Sequence, residues 1–269
     1  KLCYYGEVVR KIGTILRPER QFQQVGAEII GSESHKADVE IINLAYETLK
    51  KIGVKNIVIE ITAPFFLDSL LKKITNKDLK NKLKKYIKLK DINNCLKLLK
   101  KNELYNSFKT LHLCSGSIQT KKKYISKLNK IIGYENEVER LVKIANLIKT
   151  SKNDSLSVDF FDLQKNKNYY KGIKFTFFAK DVRGEIAGGG RYNLKYGRNS
   201  ETAIGYTCYM DTILRSSSLI NQNKKILIAF NTSDKIKQKL INKGYSLFKT
   251  FEDNIDIKKE AKKFGIKYY

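Results

Sequence analysis

Apolar and polar positions alternate in two runs near the start of the chain, Leu2 to Arg10 and Gln21 to Gly31, with Gly13 and Pro18 punctuating the stretch between. A period of two over this length predicts antiparallel strands, joined here by a loop over 12–20 long enough to fold across a ligand. Ser34 then caps a helix whose Val39, Ile42, Tyr46, Leu49 and Ile52 recur at helical spacing, and Gly53 ends it. Ile57 to Ile61 reads as a strand, and Thr62-Ala63-Pro64 opens a helix over Phe65 to Lys73. From Asn76 to about Thr150 the pattern becomes lysine-rich and helical, with Leu79/Leu83/Ile87 and Leu96/Leu99 as stripes and Gly116 and Gly133 as breaks. Strand patterning returns over 156–162 and in a hairpin where Phe175, Phe177 and Ala179 alternate, Asp181 and Gly184 supply the turn, and a short strand at 185–187 runs into Gly188, Gly189 and Gly190. A further strand over 203–210 feeds a helix at 211–216, and the tail reads strand, Ser233-capped helix, strand, helix, strand. The pattern divides the chain into a split core over 1–75 and 151–219, a helical insertion over 76–150 and a small α/β unit over 220–269.

Two features of this pattern carry chemistry. Three consecutive glycines contribute no side-chain packing, so they mark either a flexible turn or a backbone held close to something else. Gln24 and Glu28 are an even number of residues apart and therefore share one face of their strand. A carboxylate among Phe22, Val25, Ile29 and Ile30 needs a partner, which an internal ion pair or a ligand would equally supply.

Composition narrows the classes. The chain has 269 residues, 42% of them hydrophobic, with 13 Phe and 16 Tyr, enough for a substantial core. No run approaches the roughly 18 apolar residues needed to cross a bilayer, and no basic-apolar leader is visible, so a cytoplasmic protein is expected. The net charge of +26 comes from 53 basic residues, mostly lysine and spread along the chain. That leaves a solvated basic surface and a polyanion partner both open. Cys3, Cys95, Cys114 and Cys208 have no paired metal spacing and, with His35 and His112, form no recognisable zinc or thiol-base site; reduced thiols and no metal are expected.

The succession Phe22-Gln23-Gln24-Val25-Gly26-Ala27-Glu28, helical stretch, Tyr169-Tyr170, Ala187-Gly188-Gly189-Gly190-Arg191-Tyr192 and Ala203-Ile204-Gly205-Tyr206 resembles the class II histidyl-tRNA synthetase core. Within that superfamily, 175–185 and 209–214 are most similar to the non-catalytic regulatory subunits of ATP phosphoribosyltransferase. The resemblance implies an α+β fold, a class II synthetase-like antiparallel sheet of six to seven strands flanked by helices, with a histidine pocket on one face. It places Glu28 against the imidazole N–H, Gln24 at the amino group, Arg10 at the carboxylate, Tyr169 and Tyr170 in the pocket wall, and Gly188, Gly189 and Gly190 where ligand lies against backbone.

Two positions depart from the synthetase pattern. Thr212 follows Asp211 where the synthetases have an arginine, and Lys165 stands where another arginine precedes the tyrosine pair. Neutralising a triphosphate in the transition state needs such cations, and lysine lacks arginine's planar fork. The roughly 45-residue tail is also short for an anticodon-binding domain. The resemblance therefore implies a histidine sensor with no catalytic residues and no cofactor. Its expected partner is a short-form ATP phosphoribosyltransferase catalytic subunit, in a hetero-oligomer with a homodimeric regulatory core; tRNA and membrane are not expected partners. Divergent or truncated histidyl-tRNA synthetase is the alternative. Lys1 in place of methionine leads us to expect an upstream segment carrying the dimer-forming first motif.

Overall fold

In a computed structural model of the chain, the described residues are 1–11, 19–125, 128, 135–163, 169–180, 182–197, 199–217, 224–251 and 256–268. The expected covering loop lies mostly outside them, as do Gly133, Lys165 and Asp181. The chain divides into two units, Lys1–Ser218 and Leu219–Tyr269.

The first unit is built on one sheet. Its strands are β1 (Leu2–Val9), β2 (Gln21–Ile30), β3 (Ile57–Thr62), β4 (Gly116–Ser117), β5 (Ser155–Asp159), β6 (Tyr170–Ala179), β7 (Ala187–Tyr196) and β8 (Asn199–Tyr209). Their order is β1-β2-β8-β7-β6-β3-β5-β4. The pairing is antiparallel except between β3 and β5. Among the described residues eight strands stand where six or seven were expected, the helical stretch itself contributing β4 at the edge. The 156–162 run stops being strand at Asp159. The glycine triplet lies inside the ten-residue β7, whereas the expected strand at 185–187 contributes only Ala187 to it.

Helix α1 (His35–Lys51) lies against β2, β7 and β8, and α2 (Pro64–Lys73) against β6. The Ser34 side chain accepts from the Lys36 N–H at the start of α1, and Gly53 adopts φ +81° just past its end, as the sequence predicted. Under these helices Ile57, Ile59, Ile61, Phe175, Phe177, Ala187 and Ile204 are fully buried. They are the odd-numbered positions of β3, β6 and β7 and their even-numbered partner on β8, the alternation that pleating imposes. Between α2 and β5 run α3 (Lys77–Lys88), α4 (Ile92–Leu99), α5 (Tyr105–Cys114), α6 (Ile118–Ile125) and α7 (Glu135–Leu147), whose stripe residues Leu83, Ile87 and Leu99 are buried in the same core.

Two buried carboxylates tie these pieces together. Asp38 of α1 is completely buried and takes Arg191 Nε at 2.8 Å, while Arg140 of α7 binds its other oxygen. Arg191 also donates to the Ser32 carbonyl at 2.7 Å and to Thr202 Oγ1 at 2.9 Å. A buried charge costs several kcal/mol unless paired and hydrogen-bonded, and this one is both. Asp154 accepts from the Ile57 N–H at 2.7 Å, Tyr46 Oη at 2.6 Å, Lys50 Nζ at 3.0 Å and Ser151 Oγ. Burial alone would push its carboxyl up, but these donors together hold it below the usual aspartate range.

After β8 the chain enters α8 (Met210–Ser216). The second unit comprises β9 (Lys224–Ile228), α9 (Asp234–Asn242), β10 (Tyr245–Lys249), α10 (Ile257–Lys263) and β11 (Lys267–Tyr268). Its three strands pair in parallel, in the order β10-β9-β11, over a small core of Ile226, Ile228 and Leu240. Among the described residues no helix is long and apolar enough to cross a membrane.

Candidate functional site

The face of the sheet turned away from α1 and α2 carries the other half of each alternation. Gln24, Gly26 and Glu28 of β2 are in register with Tyr209, Thr207 and Gly205 of β8, which continue to Gly188 and Gly190 of β7 and to Thr176 and Lys174 of β6. Gln24 and Glu28 therefore do share a face, but Val25 and Ile29 point to the other one, and Glu28 is half-buried among hydroxyls and glycines.

The glycines on this face act as sockets. A Cβ on Gly26 would sit 2.5 Å from the Tyr4 ring, one on Gly190 2.6 Å from the Tyr170 ring, and one on Gly205 2.7 Å from Glu28 Cγ. Each permits a site side chain to lie flat on the backbone. Gly188 has nothing nearer than 3.6 Å, where Tyr209 Oη hangs above it, and forms open floor. Gly189 departs from expectation: its missing Cβ faces the core, 2.6 Å from the Phe175 ring and 2.1 Å from the Gly205 carbonyl. Its role is packing. None of the three has a positive φ, so close approach rather than turn geometry explains the triplet.

Tyrosines surround Glu28. Tyr192 donates a hydrogen bond to it, and Tyr169 stacks on Tyr192 with centroids 5.3 Å apart and planes 9° from parallel. Tyr4 is fixed by Thr207, hydroxyl to hydroxyl at 2.6 Å. Burial first, and the charge of Glu28 in addition, raise the phenols of Tyr4, Tyr169 and Tyr192 above their ordinary range. They are thus neutral donors beside an acceptor. Arg10 stands at the Gln24 end, its guanidinium 4.0 Å above the Phe22 ring and 5.7 Å from that of Tyr209.

Tyr169, Tyr170, Gly188 and Gly189 also border a cavity of about 470 Å³ that extends toward β3; Arg10, Gln24 and Glu28 are not in its lining. The structure thus gathers Arg10, Gln24, Glu28, Tyr169, Tyr170, Gly188 and Gly190 at one face, distributed over two compartments, while Gly189 turns to the core. The Tyr170 ring, on Gly190, shares the Glu28 row of the sheet and also borders the cavity. Burial above all, then the neighbouring Tyr209, raise its phenol. Sequence reasoning missed Tyr4, Tyr192, Thr207 and Tyr209. The signal was available for three of them, since Tyr192, Thr207 and Tyr209 continue the alternation of the motifs already singled out.

The phosphate side is different. Thr212 is completely buried in the first turn of α8, so the position filled by arginine in the synthetase pattern presents no cation. Among the described residues no group of three or more His, Cys, Asp or Glu could hold a metal. Cys95, Cys114 and Cys208 are buried, with burial pushing the Cys208 thiol up to about 12 and that of Cys95 up to about 11. Thiolate chemistry is thereby disfavoured at both.

A largely antiparallel sheet roofed by helices on one side and, among the described residues, open on the other, with a glycine-socketed carboxylate on the open side, is the architecture of a class II aminoacyl-tRNA synthetase-type domain. The histidyl-tRNA synthetase family profile matches residues 1–213, and the chain belongs to that family. A relative in Rhodospirillum centenum, named ATP phosphoribosyltransferase regulatory subunit, is 27% identical over 266 residues, covering 98% of this chain and 68% of its own length. A Bacillus halodurans structure described as an ATP phosphoribosyltransferase regulatory subunit/histidyl-tRNA synthetase superposes with TM-score 0.70 at 18% identity, over 99% of this chain and 71% of that one. The ATP phosphoribosyltransferase complex from Thermotoga maritima contains a chain with TM-score 0.60 at 22% identity, covering 78% of this chain and 72% of that one.

Proposed function

We propose that this chain is a regulatory subunit of ATP phosphoribosyltransferase, the enzyme that opens histidine biosynthesis, and that it senses histidine without activating it. The observation that carries the reading is the contrast across the open face. Glu28 keeps its tyrosine surround, with Tyr192 donating to it, whereas buried Thr212 offers no phosphate-binding cation. The shared name of the curated relatives supports the same assignment.

In this reading Glu28 accepts from the imidazole N–H, Gln24 meets the amino group, and Arg10, at the same end as Gln24, takes the carboxylate. Tyr169 and Tyr170 wall the site, and Gly188 and Gly190 provide close backbone approach. Each charged hydrogen bond contributes roughly 1.5–3 kcal/mol, so a few suffice to select histidine. Without a full set of cations the developing charge of adenylate formation goes unneutralised. The chain is then no enzyme itself but a cytoplasmic partner of a short catalytic subunit, in a hetero-oligomer with a homodimeric regulatory core. Feedback requires histidine to favour one assembly state by a coupling of about 1–3 kcal/mol.

Two assays test this. Mixing the protein with a short-form catalytic subunit should raise phosphoribosyltransferase activity and confer histidine inhibition, while histidine-dependent ATP–pyrophosphate exchange should be absent. Robust exchange would instead establish a divergent histidyl-tRNA synthetase, the reading that surviving Arg10, Gln24 and Glu28 favour.

A further inference from the structure

The cavity beyond Tyr170 is a compartment of its own. Its floor is the row Glu60 (β3), Thr176 (β6) and Gly188 (β7), in register across three adjacent strands, which places Glu60 about 10 Å from Gly188 at ordinary strand spacing. Glu28 lies in a different row and two strands beyond β7, too far for one small molecule to touch both carboxylates.

The charges here are two lysine–aspartate pairs and two glutamates, Glu60 on the floor and Glu185, which has an interaction of its own. Lys174 Nζ holds Asp162 at 2.5 Å. Lys90, with its backbone in the left-handed region at φ +57°, reaches from the turn after α3 to bind Asp159 and the Phe161 carbonyl, the latter at 3.0 Å. Both lysines of the lining are therefore committed to aspartates. Glu60 accepts no hydrogen bond from any described residue; it is half-buried on an interior strand, and burial, aided by Asp159 and opposed by the nearby Lys90 and Lys174, raises its carboxyl above the ordinary range. Opposite it the lining is aromatic, with the rings of Tyr169, Tyr170 and Tyr209.

A half-buried carboxylate sharing a cavity with tyrosine rings suits a positive charge on a flat or apolar body, since rings attract cations at their faces. The volume of about 470 Å³ is within the range of small-molecule pockets. We propose that this compartment is a second ligand subsite, for a small primary amine whose ammonium binds Glu60 and whose body packs against the tyrosines. It shares Tyr169, Tyr170 and Gly188 with the proposed histidine site but not Glu28.

Calorimetry on the whole protein with tyramine and with tyrosol, the same body bearing a hydroxyl in place of the ammonium, tests it. Tyramine should bind at least about tenfold more tightly than tyrosol, Glu60→Gln should weaken tyramine by about tenfold and leave tyrosol unchanged, and Glu28→Gln should leave tyramine unchanged. Equal affinities for the two compounds, no tyramine binding, or tyramine binding that depends on Glu28 and not Glu60 would overturn the proposal. If Glu60→Gln does not fold, the wild-type comparison of the two compounds decides alone. Loss of histidine binding with tyramine binding intact would instead count against the histidine reading only.

Discussion

The two faces of the sheet are written by the same strands yet follow different rules. On the helix-covered face nearly every position is aliphatic or aromatic, and the completely buried aspartate packed over it, Asp38, is held by two arginines. On the open face the neighbours of those positions are Gln24, Glu28, Thr176, Glu60 and glycines that make room for tyrosine rings. The covered face is closed by apolar packing and ion pairs, while the open face carries the carboxylates and hydroxyls that the proposed ligands would meet. Alternation thus lets stability and recognition be encoded one residue apart.

Substitutions can break or sharpen that contrast. The largest loss should come from Asp38→Ala, which strands Arg191 in the interior; we expect about 3–5 kcal/mol by urea denaturation, with histidine affinity falling only through unfolding. Asp154→Asn should cost about 2 kcal/mol at neutral pH. Because the folded carboxyl titrates below its unfolded value, this contribution is complete above the ordinary aspartate pKa and is lost as pH falls below about 4. Wild type and variant should therefore converge in acid, and a constant difference down to pH 2 would contradict the assignment. Gly190→Ala drives a methyl into the Tyr170 ring and the Ile173 carbonyl, so a loss of about 1–2 kcal/mol is expected together with a histidine affinity reduced more than about tenfold. Glu28→Gln should be smallest for stability, within about 0.5 kcal/mol, yet weaken histidine by about tenfold or more. Unchanged calorimetric affinity in that variant would remove Glu28 from the site.

Much of the fold was legible because period-two and period-3.6 patterns report burial directly, and Ser34, Gly53 and Pro64 marked helix ends with their own chemistry. The parallel β3–β5 pair was not, since nothing local in Ile57–Thr62 or Ser155–Asp159 names a partner so distant in sequence. At the site, the spacing of Gln24 and Glu28 gave their common face. The same arithmetic applied to Gly188, Gly189 and Gly190 would have turned the middle glycine to the core, but a triplet looks uniform until its strand register is known. Tyr4 was hidden because its place over Gly26 depends on the β1–β2 pairing.

That distant pairing also shapes how the molecule is made. As the chain leaves the ribosome, β3 emerges with its apolar positions formed but both edges without neighbours until α2 to α7, then β5 and then β6 have followed. Closing so long a loop delays the pairing relative to local hairpins such as β7–β8. Ile57, Ile59 and Ile61 would pass that interval as an adhesive strand edge, shielded by α1 and α2 on one side only. Refolding yield at high protein concentration should accordingly hinge on this segment, making the strand that anchors the core also its most vulnerable stretch during synthesis.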